Sequence, residues 1–384
     1  MTAPRSAFAS ALLLFACEAV ITGSVYARLP DIKATGDLSN AAFGIVLIGV
    51  PIGNIAGFAL APFAVSRFGL TRVSYGAVAF LGIVSLGLGF ATTAPAMMAA
   101  FAALGMCLSH TEVSQNSMAG HVERTSGRRV MSRCHGAWSV GSIVGLLLGG
   151  GLSQLAVPVV VQSAGAATVG IAASILLARV LPSVPRRAPA AKAARLSLRD
   201  RIPPTALMLL CLLPLGTLAL EGIVRDWGAI FLRDDLGAEP FASTLLFVTV
   251  STSMAVVRLL GDAILERLGE RLVVGGSIVC ASIGLLIVAA APSLVVALIG
   301  AAVTGVGVAV VYPVALSIVA RRSDAPERDI ATMSFICFVT LMASPTAVGL
   351  LSEATGLRVT FAVFAVLSLI ALLLLRVTGK AEQR

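Results

Sequence analysis

Long apolar runs alternate with short polar loops along the whole chain. A helix that crosses a bilayer needs about 20 mainly apolar residues, and twelve runs are of that order. A stretch rich in Pro, Ala, Lys and Arg separates the first six runs from the last six. We therefore predict an all-α membrane protein of two six-helix bundles, residues 1–180 and 204–384, joined by a basic cytoplasmic linker, residues 181–203. The predicted spans are 7–27, 41–65, 73–92, 95–119, 132–155, 158–180, 204–232, 240–262, 272–290, 294–320, 330–352 and 357–377.

A short basic turn occurs twice, each time after the second apolar run of its half. The first copy contains Arg67, Gly69 and Arg72, and the second contains Arg267 and Gly269, with Arg267 lying 200 positions after Arg67. A period of about half the chain is far longer than the repeat of a solenoid. It indicates two pseudo-symmetric halves, each a bundle of membrane helices, which is how many transporters are built.

The composition excludes a soluble protein. Hydrophobic residues make up 58% of the chain and charged residues 12%, whereas soluble domains average roughly 45–50% and about 25%. No loop is long enough for a soluble domain and no glycine-rich phosphate loop is present, which argues against a sensor kinase, a cyclase or an ATP-driven pump. The six cysteines lie scattered through apolar spans without paired spacing. We therefore expect no enzyme activity, no metal site and no cofactor.

The net charge of +9 reports membrane topology rather than a nucleic-acid partner. Basic residues concentrate in alternate loops, in the linker and at the end of the chain, and the loops between them carry few. This asymmetry is the positive-inside pattern of inner-membrane proteins, and it predicts a multi-pass protein with both termini in the cytoplasm. The basic clusters contain Arg67 and Arg72; Arg124, Arg128, Arg129 and Arg133; Arg186, Arg187, Lys192, Arg195, Arg199 and Arg201; Arg267 and Arg271; Arg321, Arg322 and Arg328; and Arg376, Lys380 and Arg384.

The basic turn resembles the loop between helices two and three of the major facilitator superfamily, usually written G-x-x-x-D-R-x-G-R-R. The resemblance implies a monomeric transporter of the superfamily fold that moves a small-molecule substrate. Ser66 stands where the superfamily usually has Asp, and Leu70 and Thr71 stand where it has basic residues. In the second copy Asp262 supplies an acid several positions earlier, four residues after Arg258, and we interpret that pair as structural or gating.

Four further strings resemble one branch of the superfamily, the YbjJ/MosC-like proteins related to fucose permease. They touch both halves and span nearly the whole chain. The strings are Ala27-Arg28-Leu29-Pro30-Asp31-Ile32-Lys33 with Leu38-Ser39 and Gly44; Asn116 with Val122-Glu123-Arg124, Met131-Ser132-Arg133, His135, Trp138-Ser139 and Gly141; Glu221-Gly222 with Asp226-Trp227, Leu232-Arg233-Asp234 and Leu236-Gly237; and Arg258-Leu259-Leu260-Gly261-Asp262.

The first, fourth and seventh predicted spans each carry a glutamate, and a charge inside a membrane is costly and needs a reason. Glu18 lies near the middle of the first span, Glu112 in the fourth and Glu221 in the seventh. A carboxyl group that is alternately desolvated and brought beside a cation changes its proton affinity, and so can carry a proton across the membrane. By resemblance to fucose permease, whose first and fourth helices carry such acids, Glu18 and Glu112 are the leading proton-coupling candidates and Glu221 is the third.

Structural alternatives remain open for these acids. Glu221 and Arg225 have the spacing of an ion pair along one helix. Glu112 can equally belong to a polar network with Gln115, Asn116 or His135. Other polar and aromatic residues of the spans are candidates for the substrate cavity, and they suit a sugar or cyclitol. These candidates are Asn54, Gln115, Asn116, His135, Trp138, Asp226, Trp227, Tyr312, Ser334 and Thr340.

The function predicted from these features is proton-coupled transport of a small polar solute by alternating access. The alternative is a proton-driven efflux antiporter for drugs or metabolites. Gly141, Gly145 and Gly149 have the spacing that favours close helix approach in lipid. Drug antiporters of the superfamily usually carry a Gly-Pro pair in this fifth helix, and the absence of that proline here counts against the alternative. A receptor without transport activity is a third possibility, disfavoured because no signalling domain is present.

Overall fold

The computed structural model describes residues 4–126, 130–184, 205–322 and 326–375. Over these ranges the chain forms helices and connecting turns without a strand, so the predicted all-α class is confirmed. The described residues before the linker, together with Glu239–Thr244, form one compact unit, and those that follow form a second. Most of the predicted linker, from residue 185 to 203, lies outside the described residues.

Eleven segments of the described chain are long and apolar enough to cross a membrane, against twelve predicted spans. The difference lies at the end of the chain, where one continuous segment, Ala343–Leu374, covers parts of the last two predicted spans. Gly356 interrupts that segment with φ 79° and ψ 162°, values that favour glycine. The break falls between the predicted spans 330–352 and 357–377, so the helix boundary is where the sequence places it.

The described part of the first unit before the linker contains eight helices, of which two have only seven residues each, one before the second predicted span and one at its start. Pro51 explains why α3 and α4 are separate, because a proline lacks the N–H that would bond to the carbonyl of Leu47, four residues earlier. The helices are α1 Pro4–Tyr26, α2 Leu29–Thr35, α3 Asn40–Val46, α4 Gly49–Phe68, α5 Leu70–Phe90, α6 Ala94–Ser126, α7 Met131–Gln154 and α8 Val159–Val180.

The second unit contains the remaining helices, again with breaks at prolines. Pro214 separates α9 from α10, and Pro313 follows the break between α13 and α14. The helices are α9 Thr205–Leu212, α10 Leu215–Asp234, α11 Pro240–Leu268, α12 Glu270–Ala290, α13 Leu294–Val308, α14 Val311–Arg322 and α15 Pro326–Ser368, followed by a 3-10 turn over Leu369–Leu374.

The two units repeat the same local structure at a constant offset of 200 residues. The basic turns pivot on Gly69 and Gly269, whose φ angles are 88° and 76°. A Cβ on Gly105 would overlap the carbonyl of Val50, and a Cβ on Gly305 would overlap that of Val250, 200 positions after Val50 in the sequence. These contacts place α6 on α4 and α13 on α11 in the same way, so the repeat inferred from the basic turns extends into helix packing.

Close packing of α1 on α7 builds the part of the first unit that matters most for function. A Cβ on Gly141, Gly145 or Gly149 would collide with backbone carbonyls of α1, the one nearest Gly145 belonging to Val20. This confirms the close approach that the four-residue glycine spacing indicates. Because the backbones meet here, side chains of α7 reach the middle of α1.

A buried polar cluster fixes α1 against α7 and α8 at the end of α1. Arg28, 4% exposed, forms an ion pair with Asp31 and donates to Gln162 Oε1 at 2.9 Å and to the Val157 carbonyl at 2.7 Å. Ser153 of α7 donates to Asp31 Oδ2 at 2.6 Å. A buried charge is tolerated only when it is paired and hydrogen-bonded, and this cluster meets both conditions.

Candidate functional site

Glu18 is buried in the middle of α1 and is held by two hydrogen bonds. The residue is 3% exposed. Thr22, one turn later on the same helix, donates from its hydroxyl to Glu18 Oε1 at 2.8 Å, and Trp138 of α7 donates from its indole Nε1 to Oε2 at 2.6 Å. Each carboxyl oxygen therefore has its own neutral donor. One of these donors is an indole that comes from a different helix, α7.

Glu112 is the second acid of this site. It lies on α6, and its charge interacts with that of Glu18, so two of the three acids singled out from the sequence are brought together. The Glu112 residue is exposed, whereas Glu18 is buried. The arrangement can hold a proton on a buried group beside an accessible one.

The other candidates of the first unit lie on α4, α6 and α7. Asn54 ties α4 to α6, because Ser109 donates to its side-chain oxygen at 2.9 Å and to its carbonyl at 3.0 Å. Gln115 is buried, one turn after Glu112, and its Oε1 atom has no hydrogen-bond partner among the described residues. Asn116 is half-buried, and His135 of α7 packs edge-on against Phe15 with ring centroids 5.3 Å apart.

In the second unit the charged residues of α10 pair in a different way from the one the helical spacing suggests. The guanidinium of Arg225 binds the carboxylate of the adjacent Asp226 with two hydrogen bonds, of 2.8 and 2.9 Å. The described ion pair is therefore with Asp226 and not with Glu221, which is half-buried on the same helix. Both carboxylate oxygens of Asp226 accept from the planar guanidinium. This two-bond geometry belongs to the stronger class of charged hydrogen bonds.

The remaining candidates of the second unit are spread over α10, α14 and α15. Trp227 is fully buried and Tyr312 is half-buried. Thr340 donates to the Ile336 carbonyl within its own helix at 3.3 Å. The side chains of Ser334 and Asp262 lie outside the described residues, so the proposed Arg258–Asp262 pair does too.

The arginines of the basic turns lie at the surface. Arg67 stacks over Phe68 at 5.7 Å from the ring centroid, and Arg72 and Arg267 are exposed. Thr71, which departs from the superfamily pattern, has a contact that the sequence did not indicate. Its hydroxyl donates to the Pro182 carbonyl at 2.8 Å and accepts from the Val184 N–H at 3.1 Å. The turn is thus fastened to the segment that follows α8.

Two helical units of similar structure, with acids inside membrane-spanning helices, indicate a membrane transporter. Residues 227–384 match the model of the Major Facilitator Superfamily. The chain is 30% identical over 357 residues to an uncharacterized MFS-type transporter of Yersinia pestis, covering 92% of this chain and 89% of that protein. The chain belongs to the major facilitator superfamily, as the basic turns predict.

Further comparisons agree with this assignment. An uncharacterized transporter of Sinorhizobium fredii (strain NBRC 101917 / NGR234) is 29% identical over 357 residues, covering 90% of this chain and 91% of that protein. A mutant of the nucleoside transporter NupG has a TM-score of 0.80 at 16% identity, covering 97% of this chain and 100% of that one. A bacterial homolog of the human lysosomal transporter Spinster has a TM-score of 0.75 at 14% identity, covering 99% and 98%. At these identities the structural likeness establishes the fold alone.

Proposed function

We propose that the protein is a proton-coupled symporter of the inner membrane that moves a small polar solute by alternating access. The observation that carries the proposal is Glu18, a buried acid with two neutral donors and a second acid, Glu112, close enough for their charges to interact. A carboxyl group inside a membrane is costly, and such groups mark proton and substrate pathways. Glu18 holds the transported proton, and Glu112 exchanges it with water.

The bonds around Glu18 suit a group that gains and loses a proton. Thr22 and Trp138 donate to the carboxylate without adding a fixed positive charge, so the partners of Glu18 among the described residues are neutral donors. When Glu18 is protonated, the Thr22 hydroxyl can rotate and accept instead of donating. The site can therefore remain hydrogen-bonded in both protonation states, which keeps the cost of the change small.

A neutral, hydroxylated solute is the substrate class that these residues favour. The Arg225 guanidinium is already bound by Asp226, so it does not demand an anionic substrate. Gln115 has a buried amide oxygen without a hydrogen-bond partner among the described residues, and a buried acceptor left unsatisfied costs about 1–3 kcal/mol. A solute hydroxyl that donates to Gln115 would remove this cost. Sugars and cyclitols meet the requirement. Nucleosides meet it too, and the structural neighbour NupG is a nucleoside transporter.

The finer assignment to the YbjJ/MosC-like branch belongs to the same proposal. Fucose permease, to which that branch is related, carries acids on its first and fourth helices, the positions of Glu18 and Glu112 here. We further infer a monomer with a cytoplasmic linker over residues 181–203 between its bundles, as is usual in the superfamily. Glu221 takes third place among the coupling residues because it lies on α10, near the Arg225–Asp226 pair.

The proposal is tested with purified protein in liposomes that contain a pH-sensitive dye. Sugars, cyclitols, nucleosides, amino acids and cationic drugs are added one at a time. Symport predicts internal acidification on addition of a hydroxylated neutral solute, and liposomes without protein give the background. Alkalinisation driven by a drug would favour the efflux antiporter instead. Counterflow of a panel solute with no change of internal pH would contradict proton coupling.

Glu112→Gln tests the second acid in the same assay. The amide keeps the size of the side chain but cannot carry a proton, so we expect acidification to slow by an order of magnitude or more. The matched control is Glu353→Gln, which removes an exposed acid of α15. Equal slowing in both variants, or in neither, would remove Glu112 from the proton pathway.

A further inference from the structure

The break between α13 and α14 lies inside a single predicted span, residues 294–320, and has an identifiable cause. In a helix the carbonyl of Ala309 would accept from the N–H of residue 313. Residue 313 is proline, which has no N–H and whose ring crowds the carbonyl four residues earlier. The next carbonyl, of Val310, is bonded normally by the Val314 N–H at 3.0 Å. The missing proline N–H therefore affects the Ala309 carbonyl, and regular bonding resumes at Val310.

Arg258 of α11 supplies the missing donor. Its Nε atom donates to the Ala309 carbonyl at 3.1 Å. Hydrogen bonds from a charged donor are stronger than those between neutral groups. The position of α11 relative to α13 is fixed nearby, because a Cβ on Gly305 would overlap the carbonyl of Val250. This contact holds α11 against α13 four residues before Ala309, and the side chain of Arg258, an exposed residue, reaches the break from there.

The first unit provides an internal comparison, because its equivalent positions carry neither the proline nor the arginine. The positions 200 residues before Pro313 and Arg258 are Val113 and Phe58. The corresponding helix, α6, runs without a break over Ala94–Ser126. The proline and the arginine therefore occur together in the unit whose helix is broken, and both are missing from the unit whose helix is continuous.

On these grounds we propose that Arg258 is a positioning residue that closes a proline hinge between α13 and α14. While Arg258 occupies the Ala309 carbonyl, the two helices behave as one. When the bond opens, α14 can bend away, whereas α13 stays clamped on α12 because Cβ atoms on Gly300 and Gly307 would collide with that helix. Motion at this point of the second unit is confined to α14.

Hydrogen–deuterium exchange of the full-length protein in detergent tests this hinge without any solute, so its result is independent of the proton-coupling proposal. In Arg258→Ala we expect the amides of residues 314–319 to exchange about tenfold faster, while those of α13 keep their rates. The matched control is Arg267→Ala, which removes an exposed arginine from the end of the same helix α11 and leaves the Arg258 bond in place.

The double variant Arg258→Ala/Pro313→Ala separates a hinge from general destabilisation. Alanine at 313 restores the N–H that the Ala309 carbonyl lacks, so exchange in α14 is expected to return to the original rate. Unchanged exchange in Arg258→Ala would overturn the proposal. An equal rise through α12, α13 and α14, or a double variant that exchanges as fast as Arg258→Ala, would overturn it as well.

Discussion

Among single residues, Glu18 depends most on a partner from another helix. Trp138 of α7 donates to the buried Glu18 Oε2 atom at 2.6 Å. The close approach of α1 and α7 at Gly141 brings the donor within reach. The proposed proton site therefore depends on helix packing as much as on the acid itself.

Replacing Trp138 by Phe should destabilise the protein by about 1–3 kcal/mol, because a buried carboxyl oxygen loses its donor while the ring remains. Thermal unfolding in detergent measures the effect. The same substitution in a Glu18→Met background should cost much less, since no carboxylate is left to satisfy. Equal losses in both backgrounds would show that Trp138 acts by packing alone.

Arg28 is the residue whose loss should cost most stability. Arg28→Met leaves Asp31 and Gln162 without their cationic partner in a buried cluster, and breaking a buried pair costs about 3–5 kcal/mol. Arg179→Met, an exposed position of α8, is the control and should change stability little. Thermal unfolding again provides the measurement, and equal stability of the two variants would contradict the role of the cluster.

At the scale of helices, glycines decide how closely neighbours pack. Gly105→Ala and Gly305→Ala place a methyl group on the carbonyls of Val50 and Val250, so both should push a helix pair apart. We expect a sharp loss of monodisperse protein in size-exclusion chromatography of a fluorescent fusion. Gly165→Ala, where a Cβ meets no atom within 4 Å, should be tolerated. A normal elution profile for the first two variants would refute the packing account.

The helices also show what a sequence can and cannot predict. Hydropathy places the spans, because burial in lipid requires a long apolar run whatever the neighbours are. The Trp138–Glu18 bond was not predicted, since contact between α1 and α7 is not encoded in either segment alone. The Arg225–Asp226 pair was missed because helical spacing drew attention to Glu221. Pro313 was visible in the sequence, but the Arg258 donor that compensates for it lies 51 residues away along the chain.

At the scale of the whole molecule, the charge distribution predicts orientation. The concentration of basic residues in alternate loops and in the linker predicts that both termini are cytoplasmic. A C-terminal green fluorescent protein fusion should fluoresce, and a C-terminal alkaline phosphatase fusion should be inactive. Phosphatase inserted after Gly237, in a loop of the other side, should be active. The reverse activities would contradict the predicted topology.

The central claim is that Glu18 couples solute movement to protons, and Glu18→Gln tests it most directly. The solute that acidifies wild-type liposomes most strongly is used in two assays, internal acidification and solute counterflow, the second of which needs no proton gradient. We predict that Glu18→Gln abolishes acidification and keeps counterflow, because the amide retains the hydrogen bonds but cannot release a proton. Acidification at the wild-type rate in this variant would contradict the account.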